Sequence, residues 1–369
     1  MNHGIYNNER VMPGRLSPDW FWQIQDCKVP TIFDAAHRKG LTTHAVMWPV
    51  TAQADIDWLL PEVWDLQKWE DPAIIYKKNC SPQLFDKYFE KHRFKLGWHP
   101  KPELDEFGVS VAEDVIRNEK PDLAMIHVSA VDIARHGNGM FGPAIDDAIR
   151  KVDSWLCRLE QAVSESGRFD ETNFIIVSDH GHLKVDKQVN LNVLFKEEGL
   201  IQTDDHGELV SYQAYCHSSG LSAQILLADA ADTEVRKKVE AILEYAKDTE
   251  AFGIKAIYTR REAEEKFQLS GPFEYVVEGV GGVAFAAKWD GRVVINEEDP
   301  DYDYVKTSHG HRPHLGPQPV LLAKGPDFKE NVTIRECSIL DEVPTFAAVL
   351  GVEMEGLEGR CLHELLVRP

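Results

Sequence analysis

Two carboxylates and several imidazoles stand on three short, glycine-containing segments, and together they have the make-up of a metal site. The first segment is Asp132-Ile-Ala-Arg-His136-Gly-Asn-Gly139. Residues four apart in a helical turn share a face, so the Asp132 carboxylate and the His136 imidazole can reach one ion. Taken alone, the same spacing describes a solvated surface pair. The second segment is Ser178-Asp179-His180-Gly181-His182. Adjacent side chains in extended backbone point in opposite directions, so Asp179 and His180 serve one ion only where the chain turns sharply, which Gly181 permits. A capped turn, with Asp179 bonding backbone amides, is the alternative. The third is Ser308-His309-Gly310-His311-Arg312-Pro313-His314, a stiff loop rich in imidazole that reads equally well as surface. Two Asp and several His, on three loops with glycine-relieved backbone, form the ligand set of a carboxylate and imidazole zinc site.

The elements that must carry these segments alternate between apolar strands and amphipathic helices, the pattern of an α/β protein with a mostly parallel sheet. Thr31 to Lys39 reads as a helix and Thr43 to Trp48 as the strand after it. Val111 to Asn118 reads as a helix and Leu123 to Val128 as a buried strand, which delivers the chain to Asp132. A long helix follows from Pro143 to Ser164, with Ile145, Ile149, Val152, Leu156, Leu159 and Val163 on one face. Asn173 to Val177 is a strand that runs directly into Ser178-Asp179. In open α/β sheets ligands bind at the carboxyl ends of strands, which is where both Asp-bearing segments fall.

From 201 to 300 the texture changes to short strands around a charged helix, Thr233 to Lys247, and this stretch is expected to be a small α+β insertion. Residues 1–200 and 301–369 are then the core, closed by a strand from Pro319 to Ala323 and a helix from Ile339 to Leu350. A chain of 369 residues exceeds what a single core usually supports, so one domain with an insertion or two domains both fit.

The formal net charge of -21 argues against nucleic acid or an anionic membrane as partner, because both are bound mainly through Lys and Arg. An acidic protein still accepts a small phosphate ester where bound cations reverse the local sign. The six cysteines are scattered without a C-x-x-C pair, and reduced, mostly buried thiols are expected. No apolar run approaches the ~18 residues of a membrane helix. The first ten residues have neither a basic nor an apolar signal region, so the chain as written reads as cytoplasmic; any export signal would lie upstream of Met1. The oligomeric state is not legible.

In this order, Asp-x-x-x-His, Val-Ser-Asp-His-Gly-His and His-Gly-x-x-Pro resemble the type I phosphodiesterase/nucleotide pyrophosphatase branch of the alkaline phosphatase superfamily. Asn2-His-Gly-Ile-Tyr-Asn-Asn8 is similar to the segment shortly after that family's nucleophile, and Asp341 to Gly351 with Gly359-Arg360 to its closing helix and motif. The resemblance implies an alkaline-phosphatase-like three-layer sandwich. It implies two zinc ions, one held by Asp132, His136 and His309 and the other by Asp179 and His180. It gives Asn8 the role of donating to a phosphoryl oxygen, and leaves His182, His311 and His314 as outer or surface residues. The implied activity is hydrolysis of a phosphodiester or phosphoanhydride, such as a nucleotide, through a covalent phosphoryl-enzyme intermediate. Phosphomonoesterase, phosphonate hydrolase, phosphoglycerate mutase and a non-catalytic metal- or nucleotide-binding fragment are the alternatives.

The family's nucleophilic Thr or Ser, and an Asp at the end of its first strand, match no position here. Both would lie upstream of Met1. The expectation is therefore a sheet missing its first strand, a second ion with two protein ligands where catalytic zinc normally has three, and weak or absent activity for these residues alone.

Overall fold

Thr31 and Asp34 cap one another reciprocally, the Thr31 amide donating to the Asp34 carboxylate and the Asp34 amide to the Thr31 hydroxyl, which starts the helix Ile32–Arg38. Helix and strand here belong to a computed structural model that describes residues 3–15, 19–63, 71–96 and 103–368. The described chain is α/β and divides into two units. One comprises Met1–Phe21, Ala134–Ile145 and His180–Gln318; the other comprises Trp22–Ile133, Asp146–Asp179 and Pro319–Pro369.

The second of these units contains a parallel sheet in the order Trp58–Leu60, Thr43–Val46, Leu123–Ile126. Thr43–Val46 is buried on both faces, as the central strand of a parallel sheet must be. The helix Glu103–Glu119 packs against it and is twice the length expected from Val111 to Asn118. The reason is Gly108, which lowers helix propensity in sequence but is required in space. A Cβ there would lie 2.9 Å from the Val46 side chain.

Phe174–Val177 pairs with Leu321–Lys324, and this ladder is antiparallel. Among the described residues, Leu123–Ile126 pairs only with Thr43–Val46, and Phe174–Val177 only with Leu321–Lys324. The cross-strand pair Ile176 and Leu322 is left 39% and 60% exposed.

The other unit is built on a four-stranded antiparallel sheet in the order Ile254–Thr259, Tyr275–Gly279, Ser222–Leu227, Ala214–Ser218. The helix Thr233–Asp248 lays Val239, Ile242, Leu243 and Ala246 into a core with Ile225, Val277 and Phe285. Residues 201–300 lie wholly within this unit.

All six cysteines are free, but the expected burial is not general. Cys216 alone is buried, Cys157 and Cys337 are exposed, and the rest are half-buried, because the helix and loop positions they occupy face outward. No helix among the described residues is long and apolar enough to cross a membrane.

Candidate metal centre

The helix Ala130–Asn138 starts where the buried Asp105 carboxylate accepts from the Ser129 amide, both oxygens at 3.1 Å, and from its hydroxyl at 3.3 Å. This bond fixes the first turn, and the helical period then stacks Asp132 under His136, with ligand-type atoms within 4.8 Å. At the helix end the His136 Nδ1 lies 2.6 Å from the Thr307 carbonyl oxygen. A carbonyl only accepts, so Nδ1 carries the proton of this bond. That arrangement is typical of a metal-ligating histidine. The Lys306 amide donates to the His136 carbonyl at 2.8 Å, a second tie between the helix and this strand.

Ser178 extends the ladder of Phe174–Val177 by one step, bonding Val320 through both its amide and its hydroxyl. Asp179 follows and is exposed; His180 is half-buried. The chain bends at Asp179, and at Gly181 a Cβ would lie 2.2 Å from the Pro317 carbonyl oxygen, so no other residue fits there without moving the backbone. Beyond His182, Leu183–Lys184 pairs antiparallel with Thr307–Ser308. This pairing sets the second segment beside the third.

His309 is fixed by two glycines in close approach. The Leu221 amide donates to its carbonyl at 2.9 Å. A Cβ on Gly310, at φ +90, would lie 2.0 Å from the Ser219 carbonyl oxygen, and one on Gly220 would lie 2.4 Å from that of His309.

These constraints gather four imidazoles. His180 and His309 stack with ring centres 3.7 Å apart, and His136 lies 5.3 Å from His309. His182, only 3% exposed, meets all of them edge to face or nearly so, at 5.1 Å from His136, 5.2 Å from His180 and 5.6 Å from His309. Ligand nitrogens of His136 and His309 fall within 4.8 Å of one another, as do those of His180 and His182. His182 was expected as an outer or surface residue; it is buried, with its ring beside those of His136, His180 and His309.

Burial first, and then the neighbouring His180 and His182 rings, hold His311 below the usual histidine range. His314 is exposed. Arg312 turns to the antiparallel sheet, donating at 2.9 Å to Glu278, a 4% exposed carboxylate that also faces Lys255 at 3.3 Å. The same guanidinium lies 5.9 Å from the Tyr258 ring and 5.5 Å from that of Phe267. Asn8 is exposed, its carbonyl accepting from the Phe21 amide at 2.9 Å. Its neighbour Asn7 bonds the Ser218 carbonyl at 3.1 Å and the Ser219 hydroxyl at 2.9 Å, next to the Gly220 turn. The ≈ 350 Å³ cleft between Gln53 and Gln83 contains none of these side chains.

Converging imidazole rings, with the His136 Nδ1 held by the Thr307 carbonyl, are donor groups of the kind that hold a metal ion. The family model for type I phosphodiesterase/nucleotide pyrophosphatase matches residues 1–312. The chain belongs to that family. Two ectonucleotide pyrophosphatase/phosphodiesterases of Caenorhabditis elegans are each 22% identical, over 286 and 244 residues. The match takes in 75% and 64% of this chain but 31% and 25% of those proteins, so the chain spans a third or less of the curated relatives' length. Among solved structures, murine ectonucleotide pyrophosphatase/phosphodiesterase 5 aligns with a TM-score of 0.65 at 18% identity, covering 99% of this chain and 84% of its own. The human protein of the same name aligns at 0.66, with the same identity and coverage. An inactive murine form in complex with AMP aligns at 0.65. These structures share the fold of this phosphodiesterase-family chain.

Proposed function

We propose that the chain is a two-zinc hydrolase of phosphodiester or phosphoanhydride bonds, with a nucleotide as substrate. The observation that carries this reading is the imidazole cluster, in which the His136 Nδ1 is committed to the Thr307 carbonyl and the His309 ring lies 5.3 Å from that of His136 and 3.7 Å from that of His180. Asp132, His136 and His309 would hold one ion; Asp179 and His180 contribute to the other. Two ions at such a site polarise the phosphoryl group and stabilise the attacking and leaving oxygens.

The chain's own residues position these groups. The Asp105 bond to Ser129 sets the helix that carries Asp132, and the Gly310 turn holds His309 still. Asn8 would donate its side-chain amide to a phosphoryl oxygen. A covalent phosphoryl-enzyme route further needs a hydroxyl nucleophile. AMP bound to the murine relative supports a nucleoside monophosphate as the group to be recognised.

A hydrolysis panel on the polypeptide translated from the complete open reading frame tests the reading. Aryl phosphodiester and nucleoside-anhydride substrates are expected to turn over faster than the matching monoesters, and zinc chelation to abolish both activities. Preference for the monoester would contradict it.

A further inference from the structure

We propose that Asn7 is a positioning residue, which ties the phosphoryl-binding Asn8 to the same hairpin turn that holds the His309 loop. The proposal rests on the reading above, in which Asn8 donates to a phosphoryl oxygen, and names the side chain that places it.

Asn7 uses both ends of its side-chain amide. Its Oδ1 accepts from the Glu9 amide at 3.3 Å, closing an Asx turn with Asn8 at the centre. Its Nδ2 donates to the Ser218 carbonyl at 3.1 Å and to the Ser219 hydroxyl at 2.9 Å. Three such bonds need two N–H donors and a carbonyl on one short side chain, which Asn supplies and Asp or Leu does not. Bonds on either side complete the hold. The Gln224 Nε2 donates to the Tyr6 carbonyl at 3.0 Å, and the Phe21 amide to the Asn8 carbonyl at 2.9 Å. The Asn8 backbone is thus fixed from both neighbours, and Asn8 itself stays exposed.

The anchor is the turn between the strands Ala214–Ser218 and Ser222–Leu227. Its own bonds stiffen it. The Ser219 amide donates to the Ser222 carbonyl at 2.9 Å, the Gly220 amide to the Ser218 hydroxyl at 3.2 Å, and that hydroxyl to the Phe285 carbonyl at 2.7 Å. The same turn carries the His309 loop. The Leu221 amide donates to the His309 carbonyl at 2.9 Å, and the Ser222 hydroxyl to the Gly310 carbonyl at 2.8 Å. Ser219 serves both sides. Its hydroxyl takes the Asn7 amide, and its carbonyl leaves no room for a Cβ at Gly310.

A donor and a metal ligand that act on one phosphoryl group must keep their spacing to within about 0.5 Å. One turn bonded to both segments sets that spacing directly.

The test uses the full chain loaded with zinc, with inorganic phosphate as the probe in calorimetry. Asn7→Ala is expected to weaken phosphate binding by about 10-fold, the net worth of one or two hydrogen bonds, with zinc affinity unchanged. In an Asn8→Ala background the same substitution should cost less than ~2-fold, because its effect passes through Asn8. A merely structural role would give additive losses, and additive losses would overturn the proposal. So would phosphate affinity in Asn7→Ala equal to that of wild type while Asn8→Ala is impaired, which leaves the reading of Asn8 standing. Should Asn7→Ala fail to fold, Ser219→Ala decides, since it removes one acceptor from the tie. It is expected to weaken phosphate binding by about 3-fold, and no loss would overturn the proposal. The reading of Asn8 fails separately: wild-type phosphate affinity in Asn8→Ala removes that role, and the positioning role of Asn7 with it.

Discussion

At the scale of residues, the centre depends on which ring nitrogen carries a proton. The Thr307 carbonyl decides this for His136, as a backbone acceptor can do without any charge change. His44 shows the cost of an imidazole buried for packing instead. It is fully buried in the second unit, its Nδ1 lies 2.5 Å from the Trp58 carbonyl oxygen, and its Nε2 has no partner there. Burial pushes its pKa down to about 4, against a small opposing effect of the Trp58 bond. Its folded pKa is below its unfolded one, so the unfolded chain binds the extra proton. Stability is therefore intact above pH 6.5 and lost as pH falls toward 4, by about 3 kcal/mol at the lower end. Burial pushes His217 down to about 4 with the same sign, whereas Glu9, raised to about 7, opposes both. Comparing His44→Gln with wild type isolates the one residue. Urea unfolding at pH 7 and pH 4.5 should show a smaller drop in the variant, and equal drops would dismiss His44 as an acid sensor.

At the scale of elements, the sequence marked what repeats with a local period. The i to i+4 spacing of Asp132 and His136 and the strand running into Asp179 were legible because a helix and a strand each write their period into the chain. The first half of Glu103–Glu119 was not, because Gly108 answers to Val46 across the fold and not to its own helix. The inward turn of His182 was hidden for the same reason. It depends on the pairing of Leu183–Lys184 with a strand far along the chain. The role of Arg312 was equally illegible, since Glu278, Tyr258 and Phe267 reach it only through the antiparallel sheet. Because Arg312 lies three residues after His309, this contact anchors the ligand loop. Glu278→Gln is expected to weaken zinc binding by roughly 10-fold with the far-UV spectrum unchanged, the scale of an outer-shell change. Arg312→Lys should do likewise, since Lys offers neither the planar fork nor the ring stacking. Wild-type zinc affinity in both variants would detach the sheet from the site.

At the scale of the whole molecule, two features act against each other. The net charge of -21 keeps copies apart. Among the described residues Leu123–Ile126 and Phe174–Val177 each pair with a single strand, and these edges, with Ile176 and Leu322 exposed, draw extended chain together. The isolated 369-residue chain is expected to self-associate as salt screens its charge. Leu322→Lys should suppress this in light scattering, and an unchanged salt response would locate the contact elsewhere. The exposed Ile176–Leu322 pair is visible only in the fold.

The central claim is that this family member is a zinc protein through its own loops. Mass-spectrometric metal analysis of the zinc-reconstituted chain after gel filtration tests it most directly. Two zinc ions per chain are expected in wild type and one in His309→Ala or Asp132→Ala. Less than one ion per wild-type chain, or no loss in either variant, would contradict it.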